Sequence, residues 1–347
     1  MGENQLAALP GLLLGWYEAN RRDLPWRSDR EPYHIWVSEI MLQQTRVEAV
    51  KGYYTRFLEK LPDIQALAQC DDDTLHKLWE GLGYYSRVRN LKKAARVILE
   101  KHEGRFPEDY QAILALPGIG EYTAGAISSI AFGQRRAAVD GNVLRVMARL
   151  RGDDTPVDLP ECKSRVRQAL EEIYPEEAGA FTQALMELGA TVCLPNGEPK
   201  CGQCPCAAIC LGRERWRELP VKLPKKAKKE QERTVFVLSQ GGRYAIERRP
   251  GKGLLAGLWQ FPNVEGTLEA EQVLAWAEQA GLAPRELERK VDRSHIFTHI
   301  KWVMRGWYLE VDNPIPAYTW MTPEEIEVQA ALPTAFRQFW EEIRENV

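Results

Sequence analysis

Apolar residues recur every three or four positions from about Trp16 to Trp216 and then stop doing so, and this break constrains the fold more than any single motif. Leu75, Leu78 and Leu82, or Val143, Val146, Met147 and Leu150, show the spacing. It lays an apolar stripe along one side of a helix. Pro62, Gly104, Pro107 and Gly133 punctuate the gaps. The rhythm ends in residues 220–233, which carry Pro220, Pro224 and a run of lysines. A stretch without apolar period has no face to bury, so it reads as a solvated basic linker. Beyond it, residues 234–238 and 244–247 read as strands around Gln240, Gly241, Gly242 and Arg243, a hairpin signal. Residues 269–279 read as a helix, 301–311 as a strand and 335–345 as a closing helix. The expectation is an all-helical region 1–219, a linker 220–233 and a small α+β domain 234–347. A length of 347 residues suits two such domains.

The net charge is −3, so no global field draws the chain to nucleic acid and any DNA binding must come from local patches. Residues 6–14 are apolar but short, lack a basic lead and run into Arg21, Arg22 and Asp23. They do not read as a signal peptide, and no run approaches the length of a membrane span. A soluble, monomeric, cytoplasmic protein is expected.

Cys193, Cys201, Cys204 and Cys210 follow the spacing C-x7-C-x2-C-x5-C. Four soft sulfurs in one short loop can converge on a metal or an iron–sulfur cluster. A disulfide pair is disfavoured by the lack of a secretory segment and the odd total of seven cysteines. Zinc stays open, although its four-thiolate sites usually pair two short knuckles. Cys206, between the last two candidates, could replace one of them. Cys70 and Cys162 read as isolated buried thiols.

Gly118 and Gly120 lie in LPGIGEYTA at 116–124, a proline turn opening a helix. Such a turn presents backbone N–H groups that grip a phosphate without reading sequence. Glu39 sits in an otherwise apolar helical segment, with Ile35, Trp36 and Leu42 on its face. An apolar surround favours the protonated acid, although an exposed helix glutamate is the plainer reading. Asp140 precedes Gly141 and a helix, where the helix N-terminus favours a charged carboxylate; a simple N-cap is the plainer reading there.

Taken together, these strings resemble the helix–hairpin–helix base-excision glycosylases that carry an iron–sulfur cluster, and most closely their adenine-specific MutY branch. The matching segments are RDLPWR at 22–27, WVSEIMLQQT at 36–45, WEGLGYYSR at 79–87, the hairpin, VDGNV at 139–143 and the cysteine loop. The resemblance implies a mainly α helix–hairpin–helix glycosylase core with an iron–sulfur loop, plus a C-terminal α+β Nudix-like domain. It implies a 4Fe–4S cluster on Cys193, Cys201, Cys204 and Cys210. The implied substrate is double-stranded DNA with adenine opposite 8-oxoguanine or guanine, and the implied reaction is hydrolysis of the N-glycosidic bond. By resemblance, Glu39 protonates adenine at N7 and then assists water, Asp140 stabilises the sugar cation, and Asn142 holds Asp140. Tyr122 stands where endonuclease III-type enzymes carry a Schiff-base lysine, so a monofunctional glycosylase is implied. Leu24, Trp26, Arg27 and Gln183 match the adenine pocket. Gln44 and Tyr84 match residues inserted near the lesion, Thr45 and Leu82 match contacts to the orphan base, and Arg87 closes that motif. Thr298 replaces the usual serine of a Phe-Ser-His string in the lesion reader. The segment comparable to a Nudix metal helix, residues 274–281, keeps one of three acids, which argues against pyrophosphate hydrolysis. The first cysteine spacer is one residue longer than usual, and its loop contains Glu198 and only one lysine, Lys200. A glycosylase/lyase and a non-catalytic iron–sulfur damage-binding protein are the alternatives.

Overall fold

The computed structural model describes residues 6–224 and 227–344. Proline lies at the start of α1 (Leu9–Asn20) and α2 (Pro32–Leu42), where its fixed φ suits the first turn and its missing N–H is not needed. Next come α3 (Val47–Lys60), α4 (Ile64–Gln69) and α5 (Asp72–Leu78), the last capped by Asp71, whose carboxylate accepts from the Thr74 N–H at 2.8 Å. Then follow α6 (Ser86–Lys101), α7 (Tyr110–Leu114) and α8 (Glu121–Ile130). α9 (Gly141–Arg151) stops at Gly152, whose φ of 61° gives a left-handed C-cap. α10 (Pro160–Glu171) and α11 (Ala178–Thr191) complete the helical part. Leu9 and Leu13 of α1, Val143 and Met147 of α9, and Phe181 and Leu185 of α11 bury into one core. That core fixes the two helices, α9 and α11, that flank the site described below.

Beyond residue 227 the chain forms a seven-stranded mixed sheet. β1 (Lys229–Gln240) and β2 (Arg243–Arg248) form the expected hairpin through Gly241 and Gly242, at φ 53° and 76°. Positive φ at both positions matches the twist of the flanking strands. The remaining elements are β3 (Trp259–Gln260), β4 (Asn263–Glu265), α12 (Ala270–Gln279), β5 (Pro284–Ile296), β6 (Ile300–Val311), β7 (Thr319–Met321), α13 (Pro323–Gln329) and α14 (Thr334–Arg344). The order is β3-β2-β1-β6-β5, with β4 added to β1 and β7 to β2. β1 and β6 run parallel, and β5 pairs antiparallel with β6. Phe336, Phe339 and Trp340 of α14 pack in the core of one face, and Val273 and Ala277 of α12 in that of the other. Among the described residues no helix is long and apolar enough to cross a membrane.

Three expectations need correction. β1 begins at Lys229, inside the linker expected over 220–233, because its polar first residues pair with β6 from Lys229↔Ile300 onward while their side chains stay mostly exposed. Ladder hydrogen bonds, not side-chain burial, make that strand end, and they leave no apolar signal. Lys225 and Lys226 of that linker, and Glu345 of the closing helix, lie outside the described residues. The helical spacing that included Leu82 overreached, since α5 ends at Leu78 and Gly81 and Gly83 take φ of 96° and 69°. Finally, the chain divides into two compact units, and Cys70–Val88 belong with the C-terminal sheet domain rather than with the other helices.

Candidate active site

α2 buries eight of its eleven residues, Glu39 among them at 5% exposure. Tyr122, in the first turn of α8, donates its hydroxyl to Glu39 Oε2 at 2.5 Å. Burial pushes the Glu39 carboxyl up to about 7; the Tyr122 hydrogen bond opposes this, the Asp140 charge adds to it and Arg27 opposes it. The same burial, with the Glu39 and Asp140 charges, holds the Tyr122 phenol well above its ordinary range. A carboxyl half-protonated near neutral pH can both give and take a proton.

Asp140 is the N-cap of α9, as expected. Its Oδ1 accepts from the Val143 N–H at 2.7 Å and its Oδ2 from Asn142 Nδ2 at 2.8 Å. Both oxygens are therefore oriented, and the carboxylate sits where the helix dipole favours negative charge. Asn142 Oδ1 accepts in turn from Arg145 Nη2 at 2.9 Å, and Arg145 also donates to the carbonyls of Gly189 and Cys193. A side chain at Gly189 would meet Asn142 Cβ at 2.7 Å, so glycine there lets α11 close on the cap.

Glu39, Tyr122, Asp140 and Asn142 line one cavity of about 540 Å³. Leu24, Trp26, Arg27, Gln44, Thr45 and Gln183 border the same cavity, so most of the residues singled out in the sequence come together. Sequence reasoning missed Glu187. It is fully buried and pairs with Arg22 Nε at 2.7 Å and Arg27 Nη2 at 2.7 Å. It also accepts from the backbone N–H of Arg22, and these partners hold its carboxyl below the usual range against the cost of burial. The available signal was an acid one turn beyond Gln183 on a helix otherwise apolar on that side, with two arginines in the 22–27 motif to match it. Lys163, also unremarked in the sequence, borders the cavity as well.

Leu82, Tyr84, Arg87 and Thr298 are not in this cavity and belong to the other unit. There Thr298, in the turn between β5 and β6, places its Oγ1 3.4 Å from Tyr84 Oη, and both side chains are exposed. Arg87 departs from its expected place at DNA: it is buried and donates to the carbonyls of Leu82 at 2.8 Å and Gly83 at 3.0 Å, shaping the loop. Gln44 and Tyr84, the two residues matched to insertion, both take left-handed backbone, at φ 58° and 47°. For non-glycine residues this conformation costs about 1–2 kcal/mol and concentrates at functional positions. Gly118 and Gly120 form the turn between α7 and α8, both exposed. Gly118 has φ 78°, and a Cβ there would come within 2.5 Å of Asn90.

Cys193, Cys201, Cys204 and Cys210 line a second, mostly apolar cavity together with Arg149 and Arg213. Arg149 donates to Cys193 Sγ at 3.3 Å and to the Leu194 carbonyl at 2.9 Å. A loop of four soft sulfurs with cationic donors facing it suits an anionic thiolate-bound group. Cys206 is fully buried in the helical core and does not line this cavity, so it is not placed to substitute for a ligand.

A family model described as the HhH-GPD superfamily base excision DNA repair protein matches residues 37–176, and one described as a NUDIX domain matches residues 234–342. The chain is 36% identical to the human adenine DNA glycosylase over 405 residues, covering 96% of this chain and 73% of that one. It is 33% identical to the adenine DNA glycosylase of Buchnera aphidicola subsp. Schizaphis graminum (strain Sg), covering 83% of each. Among solved structures, a thermostable thymine-DNA glycosylase matches with 31% identity and a TM-score of 0.56, over 61% of this chain and 98% of that one.

Proposed function

The chain belongs to the adenine DNA glycosylase family, a family of base excision repair enzymes, and we propose that it removes adenine opposite 8-oxoguanine or guanine from duplex DNA without cutting the strand. The observation that carries this reading is the pair of carboxylates on one cavity wall: Glu39 buried and poised near 7, Asp140 clamped at a helix N-terminus. Glycosidic cleavage passes through an oxocarbenium-like state that needs a proton on the leaving base and negative charge near the sugar. Glu39 supplies the proton to the flipped adenine, and the bond between base and sugar breaks with its electrons leaving on the base. Asp140, held by Asn142 and the Val143 N–H, stabilises the sugar cation. Glu39, now ionised, takes the proton of the attacking water. Leu24, Trp26, Arg27 and Gln183 hold the base, with Glu187 fixing Arg27 in place. Flipping leaves a gap in the stack, and the strained Gln44 is placed to occupy it.

Tyr122 cannot form an imine, which supports a monofunctional enzyme. Lys163 at the cavity border is the one observation favouring the lyase alternative. The C-terminal domain is proposed as the reader of 8-oxoguanine, with Thr298 and Tyr84 as its contacts. Cys193, Cys201, Cys204 and Cys210 are proposed to hold a 4Fe–4S cluster. The four sulfurs border a cavity, and among the described residues no three His, Cys, Asp or Glu side chains stand close enough to share one metal ion. Such a spread suits a polynuclear group more than a single zinc ion. When bound, the cluster would brace the loop that Arg145 and Arg149 tie to α9. Iron and sulfide in the purified protein, with a visible thiolate-to-iron band, are expected; stoichiometric zinc would overturn the assignment.

The deciding experiment is single-turnover cleavage of duplexes carrying adenine opposite 8-oxoguanine, guanine or cytosine, with and without alkali. Strand breaks only after alkali, fastest opposite 8-oxoguanine and lost in Glu39→Gln, are expected. Breaks without alkali would establish the lyase instead.

A further inference from the structure

Residues 79–87 form a loop held from both sides. Trp79 Nε1 donates to the Gly83 carbonyl at 3.0 Å, and the Leu82 N–H reaches the Trp79 carbonyl at 3.1 Å. Arg87 closes the other side on the Leu82 and Gly83 carbonyls. Left-handed backbone at Gly81, Gly83 and Tyr84 completes a reversal that few side-chain sets tolerate. The loop thus moves as one piece, and whatever fixes its first residues sets where Tyr84 stands.

Glu80 is that anchor. Its side chain is only 12% exposed, and it fastens the loop to the far end of the same unit. Oε1 accepts from the backbone N–H of Leu332 at 2.9 Å and from Arg337 Nη1 at 2.9 Å, and Oε2 pairs with Lys77 Nζ at 2.6 Å. Arg337 is itself oriented by Glu327, through Nη2 at 3.0 Å. Lys77 also reaches the Ala330 carbonyl at 3.4 Å, and Asp73 at the start of α5 pairs with Arg248 of β2. Every one of these partners sits on the domain that carries Thr298 or on the segment docked to it.

We propose that Glu80 is a positioning residue for mispair recognition, holding the Leu82–Tyr84 loop at the spacing from Thr298 that lets Tyr84 and Thr298 meet one lesion together. Without Glu80, Leu332 loses its acceptor, Arg337 swings to Glu327 alone, and the loop is free to drift from Thr298. The proposal rests on the reading of Tyr84 and Thr298 as lesion contacts. It explains why an acid stands in a motif otherwise made of glycine and aromatic residues: the carboxylate is spent on the sheet domain, not on DNA.

The test uses the full-length protein and measures single-turnover rate constants and dissociation constants on adenine opposite 8-oxoguanine and opposite guanine. For Glu80→Ala the preference for 8-oxoguanine over guanine is expected to fall at least five-fold, mostly in the dissociation constant of the 8-oxoguanine duplex. Glu80→Gln, which keeps an oxygen for the Leu332 N–H, should recover at least half of the lost preference. Arg337→Ala should reproduce the defect and serves if Glu80→Ala does not fold. A folded Glu80→Ala or Arg337→Ala protein with the wild-type preference would overturn the proposal. A wild-type enzyme with no preference for 8-oxoguanine would instead overturn the reading on which it rests.

Discussion

The two recognition regions differ in the one property that matters most to their work. The cavity of the helical unit is dry and tightly bonded: Glu39 is 5% exposed, Glu187 fully buried, and Asp140 holds two donors. The Tyr84–Thr298 contact of the other unit is open, with Tyr84 46% exposed and the two oxygens 3.4 Å apart. Chemistry on a glycosidic bond needs a displaced pKa and fixed charges, and both require exclusion of water. Reading a lesion needs groups that DNA can reach. The difference teaches that the same chain spends stability on the first region and little on the second.

Mutations can break that contrast. The largest effect is expected for Glu39→Gln, where single-turnover excision should fall about 10³-fold with duplex affinity kept, a general-acid effect of the usual order. Retention of a tenth of the activity would mean that the buried acid is not the proton donor. Glu187→Ala should lower stability by about 3–5 kcal/mol in denaturant unfolding, because it leaves Arg22 and Arg27 without their buried counter-charge. A loss below about 1 kcal/mol would place this cluster with ordinary surface pairs.

Linkage gives a smaller, signed effect. Glu39 holds its proton to about 7 in the fold against an ordinary value of 4.5. Stability from this group is therefore full below about 4.5 and is lost as pH rises through about 7. Glu39→Gln should exceed wild type in stability at pH ~8 by about 2 kcal/mol, and the gap should narrow toward pH ~5. Excision by wild type should decline over the same alkaline range, which a pH–rate profile would show. Gln44→Gly should stabilise the fold by about 0.5–1 kcal/mol by relieving left-handed strain, yet slow excision from mispairs. The least effect belongs to the open region: Thr298→Ala should lower 8-oxoguanine preference only about three-fold, worth under 1 kcal/mol, while Thr298→Ser keeps it. A large loss there would show that the exposed contact is as demanding as the buried one.

Much of this was legible in the chain. Helix and strand rhythm located α9, α12 and the Gly241–Gly242 hairpin within a residue or two, since periodicity and turn chemistry act between neighbours. β5 was not legible. Arg285, Glu286, Glu288, Arg289 and Lys290 carry no alternation, and the strand is made by its ladder to β6 and by pairs such as Arg293 with Glu342. In the site, Glu39 and Asp140 could be named from their strings, but the plainer readings of an exposed glutamate and a simple cap competed equally well. Packing decided the first against exposure, and showed the second to be a cap and a cavity wall at once.

By itself, the sequence determined which short segments become helix or strand, which cysteines share a loop, and that position 122 holds no lysine. These depend on residue type and on partners within about a turn. Only the tertiary structure decided that Glu187 would meet Arg22 and Arg27 from some 160 positions away, that Cys206 would turn into the core, and that Glu80 would tie its loop to Leu332 and Arg337. The physical reason is the range of the forces involved. Propensity and capping are settled locally, whereas a buried charge is stable only where distant elements bring its counter-charge into the same dry place.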